Sequence, residues 1–165
     1  MLKIAKKLSE LSFGNLMDVY EEGNLENARD LWPEESVQRQ LALAEQEFHN
    51  YLSQVFFRTP GAFYALWEVQ GRYVSALRIE PYEDGWLLEA LETAPSRRRR
   101  GYAWELIQAV LAHMVGMGKI YSHVSKRNIP SLGVHQSCGF KKILDHAVYA
   151  DGSVLSSAVT LMIEV

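Results

Sequence analysis

The chain has 165 residues, 48% of them hydrophobic and 22% charged, with a net charge of −3. That profile fits one compact domain over residues 1–165 and argues against a domain built to grip nucleic acid or to span a membrane. Cys138 is the only cysteine and residues 1–10 lack the apolar stretch of a secretory signal, so a cytoplasmic location is expected.

In chain order, residues 2–8 read as a short strand. Residues 15–31 carry Leu16, Val19, Tyr20 and Leu31 among acids and amides, and read as one broken helix before Trp32-Pro33. Val37, Leu41, Ala44, Phe48 and Leu52 recur at helical spacing and mark a second helix. Glu34 and Glu35 precede it, where the helix dipole favours anions. Residues 63–69, 72–79 and 86–93 read as three strands of an antiparallel meander. Gln70-Gly71 turns between the first two, and a loop over residues 81–85 joins the next pair. Ala103, Leu106, Ile107, Val110, Leu111 and Met114 lie on one face of a strong helix that Gly116 and Gly118 end. Residues 119–125 return as a strand. Residues 130–137 form a short helix, with Pro130 in its first turn and Gly139 at its cap. Asp151-Gly152 is a hairpin signal, and beyond it Leu155, Val159, Leu161 and Ile163 share one strand face. The order predicts an α/β fold: a mixed, mostly antiparallel sheet flanked by helices, with one parallel crossover from residue 93 to residue 119.

The junction between Thr93 and Ala103 carries the most chemistry. A strand ends, four arginines follow at positions 97–100, and Gly101 opens the long helix. Unpaired amides at a helix start, together with the helix dipole, make an anion site. Gly101 and Ala103 let a ligand approach the backbone, and arginines add bidentate donors for phosphate. A concentrated cationic spot on a mildly acidic chain points to a small anionic ligand.

Arg98-Arg99-Arg100-Gly101-Tyr102-Ala103 resembles the Gln/Arg-x-x-Gly-x-Gly/Ala signature of the GNAT N-acetyltransferase superfamily, with Pro95 ahead of it. A second stretch agrees: Asn128, Ser131, His135, Gly139 and Phe140 match the spacing of the family's other hallmark. The resemblance implies the GNAT acyl-CoA N-acyltransferase fold and acetyl-CoA as acyl donor, with no metal. It implies that amides from Arg98 to Ala103 hold the pyrophosphate of coenzyme A. The backbone of Leu91, Glu92 and Thr93 would pair with the pantetheine arm beside a bulge that splays two strands. Asn128 and Ser131 would contact the same arm.

The implied reaction is direct acetyl transfer to a primary amine of a small molecule or peptide, with no covalent enzyme intermediate. Family members most often have Tyr where His135 stands, its hydroxyl near the departing thiolate. His135 is the matching candidate acid, and Tyr121, Tyr149 and Tyr102 are substitutes. Glu89 is the candidate base, with Glu92 as alternative: strand alternation puts Glu89 on the side of Leu87, Leu91 and Thr93, and Glu92 on the other. Cys138 occupies a packing position in the family and is not expected to act as nucleophile. Glu80, Glu83 and Asp84 are placed to attract a cationic amine, and Tyr64, Trp67, Tyr82 and Trp86 to supply an aromatic wall, although solvated acids and core aromatics are the more ordinary explanation of both sets. Two readings compete. The His at position 135 leaves open a GNAT-like module that binds acyl-CoA without turnover. The arginine cluster suggests nucleic acid, which the acidic balance opposes. A homodimer through the final strand is also open.

Overall fold

The computed structural model describes residues 1–165. A seven-stranded sheet runs through the molecule in the order 1-2-3-4-5-9-6. Its strands are β1 (Leu2–Ala5), β2 (Phe63–Val69), β3 (Arg72–Tyr82), β4 (Gly85–Thr93), β5 (Lys119–Ser125), β6 (Lys141–Leu144) and β9 (Ala158–Glu164). All neighbours are antiparallel except β4 and β5, so the expected parallel crossover is present. Helices α1 (Phe13–Leu31) and α2 (Val37–Gln54) cover one face. Helices α3 (Tyr102–His113) and α4 (Ile129–Ser137) lie on the other.

Each face has its own core. Leu77, Ile79 and Leu88 pack with Leu106, Ile107, Val110 and Ile120 on the α3/α4 side. Leu16, Tyr20, Leu52, Phe56, Tyr64 and Leu66 pack on the α1/α2 side. Both sheet faces bury apolar surface, so the register of every central strand is fixed by the core on each side.

Several expectations change. Helix α1 is continuous, not broken. Its buried stripe is Leu16, Tyr20, Asn24 and Ala28, four residues apart, and a polar member hid the pattern. Leu31 and Val37, assigned to buried faces by periodicity, are exposed at helix ends. Strand β3 runs on to Tyr82, which pairs with Gly85, so the loop over residues 81–85 shrinks to the two-residue turn Glu83-Asp84. A side chain at Gly85 would collide with the Lys119 carbonyl, which explains glycine where β4 first meets β5. The expected final pair of strands is four. Strand β6 pairs with β9, and Asp151-Gly152 turns a small separate hairpin of β7 (Ala147–Val148) and β8 (Val154–Leu155). Leu155 therefore leaves the face it was assigned to and is exposed.

Candidate functional site

Strands β4 and β5 pair only from Gly85–Lys119 to Leu88–Ser122 and then part. On its other edge β4 carries a bulge: Arg78 faces Glu89 and Ala76 faces Glu92, leaving Ala90 and Leu91 opposite Leu77. Ala90 adopts the left-handed conformation, φ 51°. Its carbonyl accepts a 2.6 Å hydrogen bond from Tyr20 of α1, which holds the bulge in place.

The bulge reverses the alternation expected beyond it. Leu91 packs toward α3, while Ala90 joins the α1/α2 core. Glu89 pairs with Arg78, and Glu92 faces Glu22 and Glu26 of α1. Both acids thus lie on the α1/α2 face, and Glu89 does not share a side with Leu91. The aromatic wall divides likewise: Trp67 and Trp86 pack against the α3/α4 core, leaving Tyr64 and Tyr82 on the opposite face.

Past Thr93 the chain makes a single 3-10 turn (Pro95–Arg97) and enters the arginine loop. Gly101 is the N-cap of α3 with φ 82°, a left-handed conformation that favours glycine. A Cβ there would meet nothing within 4 Å, so the glycine opens onto free space. The first bond of α3 runs from Glu105 N–H to the Gly101 carbonyl, 2.9 Å. The amides of Arg99, Arg100 and Gly101 donate to no group in the chain. With the first helical amides behind them they present a row of donors at a dipole's positive end, an arrangement suited to an anion.

The arginines do not act together. Arg98 Nε donates to the Thr93 carbonyl at 3.2 Å, and its guanidinium forms ion pairs with Glu22 and Glu92. Arg98 therefore ties the loop to β4 and α1, whereas Arg97, Arg99 and Arg100 make no ion pair within the chain. Burial beside Glu22 and Glu26 holds the Glu92 carboxyl above its usual range.

Opposite the loop, Asn128 caps α4, its Oδ1 accepting from Ser131 N–H at 3.1 Å. The Asn–Ser spacing of the second motif is thus a helix cap turned toward the cleft. Between α3, α4 and the end of β4 lies a cleft of about 600 Å³. It brings together Leu91, Glu92, Thr93, Arg98, Arg99, Gly101, Ala103, Asn128 and Ser131 from the residues read in the sequence. Trp104, Pro130 and Val134 complete the lining and were missed. Trp104 is 45% exposed on the first turn of α3, which periodicity alone marks as an ordinary surface position.

His135 is 1% exposed and outside the cleft lining. Its Nδ1 lies 2.8 Å from the Ser131 carbonyl, which can only accept, so Nδ1 carries the proton. Nε2 then accepts from Ser122 Oγ at 3.0 Å. Burial pushes its pKa below the ordinary histidine value, so the ring is neutral at pH 7. The Cys138 thiol is buried and its pKa raised by burial, which leaves it a weak nucleophile. Tyr121 donates to Asp84 at 2.6 Å, at the far end of the β4–β5 pair from the cleft. Tyr102 begins α3, and Tyr149 packs against His123. Arg78 lies 3.0 Å from Glu89, an ion pair whose direction forms no hydrogen bond, and stacks over Tyr51 and Phe56.

The sequence matches a family model described as the acetyltransferase (GNAT) family over residues 21–140. Solved structures agree over the whole chain. PaiA N-acetyltransferase from Thermoplasma acidophilum, in complex with coenzyme A, superposes with a TM-score of 0.66 at 11% identity, covering 100% of this chain and 99% of that one. The ribosomal-protein-S18-alanine N-acetyltransferase of Escherichia coli gives 0.58 at 14%, covering 99% and 94%. Aminoglycoside 6′-acetyltransferase type Ii gives 0.61 at 16%, covering 99% and 96%. At such identities the likeness establishes the fold. No curated protein matches the chain.

Proposed function

The chain belongs to the GNAT acetyltransferase family, and on that premise we propose that residues 1–165 form one catalytic unit that moves the acetyl group of acetyl-CoA to a primary amine. The observation that carries this reading is the set of free amides at Arg99, Arg100 and Gly101, of which Arg99 and Gly101 line the cleft of about 600 Å³. They suit the pyrophosphate of coenzyme A, with the Arg99 and Arg100 guanidinium groups as further donors. Tyr102 and Ala103 extend the same row of amides. The unpaired edge of β4 at Leu91, Glu92 and Thr93 suits the pantetheine amides, and capped Asn128 with Ser131 lines the facing wall. The thioester then points to where β4 and β5 part.

Transfer requires a neutral amine, a donor to the oxyanion and a departing thiolate. A thiol pKa of about 8.5 makes the thiolate a fair leaving group without a strong acid. That suits the bonding of His135, whose one ring proton is committed to Ser131. We assign His135 to positioning: it ties α4 to β5 and so sets the cleft wall. Glu89, paired with Arg78, and Glu80, whose pKa burial and Glu89 raise, supply negative charge to the face that the amine approaches. A basic amine of a small molecule or peptide is the acceptor class this favours. No helix is long and apolar enough to cross a membrane.

The test is calorimetric titration with acetyl-CoA of wild type and Gly101→Glu, followed by thiol release with spermidine, tyramine and short peptides as acceptors. Binding lost in the variant and thiol release in the wild type are expected. Binding without any acetylation or thioester hydrolysis would favour the second reading, an acyl-CoA-binding module, which the full engagement of His135 keeps in play. No binding of acetyl-CoA removes both.

A further inference from the structure

Four buried side-chain polar atoms in the chain lack any hydrogen-bond partner: Tyr64 Oη, Arg78 Nε, Glu89 Oε1 and His123 Nδ1. Such atoms are rare because an unpaired buried group forfeits its hydration. Arg78 Nε and Glu89 Oε1 lie 3.0 Å apart as an ion pair, which leaves Tyr64 Oη and His123 Nδ1 with neither a hydrogen bond nor an ion pair. These four are neighbours. Tyr64 faces Arg78 across β2 and β3, and Arg78 faces Glu89 across β3 and β4. Leu88–Ser122 is the last β4–β5 pair, so Glu89 and His123 are the first residues beyond it on the two parting strands. Leu88 packs into the α3/α4 core and Ser122 bonds His135 of α4, which leaves Glu89 and His123 on the opposite face. One row across four strands therefore collects every buried side-chain polar atom that lacks a hydrogen bond, and it ends where the strands separate.

The chemistry of the row's last member is determined by its neighbours. Tyr82 Oη donates its only proton to the Val148 carbonyl. Its lone pair, 3.4 Å from His123 Nε2, can then only accept, so the long contact assigns the ring proton to Nε2. Nδ1 is left with a bare lone pair. The groups packed on the ring are Tyr82 from β3 and Tyr149 from the β7–β8 turn, with Thr160 beside it on β9. None is charged at neutral pH, and burial alone moves the ring's pKa below the ordinary value. Glu89, by contrast, is held by Arg78.

We propose that His123 is the catalytic base of acetyl transfer, with Nδ1 taking the proton of the attacking amine and Glu89 Oε1 accepting that amine's second hydrogen bond. This rests on the reading given above. The amine nitrogen forms a bond to the thioester carbon, and the proton it sheds moves to Nδ1. The C–S electron pair leaves with sulfur, the coenzyme A thiolate takes a proton from water, and the imidazolium returns its proton to water. The net change is amine plus acetyl-CoA to amide plus coenzyme A. In the acceptor-free protein Nδ1 is shielded from water, so an incoming amine must displace a neighbour. Tyr149 is 40% exposed and its hydroxyl makes no hydrogen bond, which makes it the side chain free to move.

Two measurements test this. Long-range ¹⁵N–¹H NMR of histidine-labelled wild type at pH 7 needs no acceptor. It should show the Nε2–H form for His123 and the opposite Nδ1–H form for His135. A proton on His123 Nδ1 overturns the proposal. Second, the fastest of spermidine, tyramine and the peptide amines is followed with acetyl-CoA across pH. His123→Gln should lower kcat by roughly 100-fold or more and remove the acidic limb of the pH profile, with coenzyme A affinity unchanged. Tyr82→Phe, which keeps the ring and removes the acceptor for Nε2–H, should lower kcat less and mix the two tautomers. A His123→Gln enzyme within threefold of wild type with the same pH profile overturns the base assignment alone. A wild type that binds acetyl-CoA yet acetylates nothing overturns the transferase reading and the base assignment with it.

Discussion

On the face covered by α3 and α4, buried His135 has both ring nitrogens engaged, one by Ser131 and one by Ser122. On the face covered by α1 and α2, His123 keeps one nitrogen free and ends a row formed by the Arg78–Glu89 ion pair and Tyr64 Oη, which has no hydrogen bond either. Two histidines of one chain, twelve residues apart, thus meet opposite fates. Where a polar group serves packing, the fold supplies its hydrogen bonds, because leaving them unmade costs about 1–3 kcal/mol each. Where such groups are left unmade side by side, a molecule outside the chain is the natural partner. The α3/α4 face is accordingly a finished core with an open cleft at its rim, and the α1/α2 face leaves polar atoms of its row without hydrogen bonds.

If the α3/α4 face is finished, truncating it should carry the largest cost. Leu106 is fully buried among Ile107, Val110 and Leu77. Leu106→Ala should lose about 2–5 kcal/mol of unfolding free energy, since the surrounding side chains collapse only partly into the space. Urea unfolding measures this directly. A loss under about 1 kcal/mol would mean the core is loose, and the contrast between the faces would fail.

The next effect sharpens the other half of the comparison. Arg78 is only 14% exposed and its partner Glu89 28%. Arg78→Met should destabilise the protein, though by less than the roughly 3–5 kcal/mol of a fully buried pair, because Glu89 keeps some contact with water. Adding Glu89→Gln should recover much of the loss, giving a coupling of about 0.5–3 kcal/mol in a double-mutant cycle. Glu89→Gln alone also separates two bases. With His123 as base, acetyl transfer weakens several-fold and keeps its acidic limb; with Glu89 as base, that limb disappears.

The contrast also explains what was legible in the sequence. The helices, the meander and the crossover were readable because Leu106, Ile107, Val110 and Leu111 repeat at helical spacing, and the apolar, aromatic run of β2 is bounded by turn residues. The loop from Arg98 to Ala103 was readable because its chemistry is local: a strand end, a glycine and a helix start adjoin in the chain. The α1/α2 site was not, since Tyr64, Arg78, Glu89 and His123 meet only through the pairing of four strands. One inserted residue at Ala90 was enough to put Glu89 and Glu92 on the same face, against strict alternation. Asn24 and His135 show the same difficulty in the core, where a polar residue at an apolar position interrupts the pattern that periodicity detects.

The smallest effect concerns pH, and its sign follows from His135. Its folded pKa lies below the ordinary value because burial disfavours the cation, while the unfolded chain has the ordinary value of about 6.5. As pH falls through 6.5 the unfolded state takes up a proton that the folded state refuses, so stability drops toward lower pH. One such group contributes a slope of at most about 1.4 kcal/mol per pH unit. His123 adds a slope of the same sign, since its pKa is also lowered. His135→Asn keeps a donor for the Ser131 carbonyl but cannot titrate. It should be less stable than wild type at pH 7, having lost the edge contact of the ring with Phe140, and its stability should fall less steeply between pH 7 and pH 5. Equal slopes in urea unfolding over that range would show that His135 takes up its proton while folded, and the two histidines would no longer be distinguished by how completely the fold has bonded them.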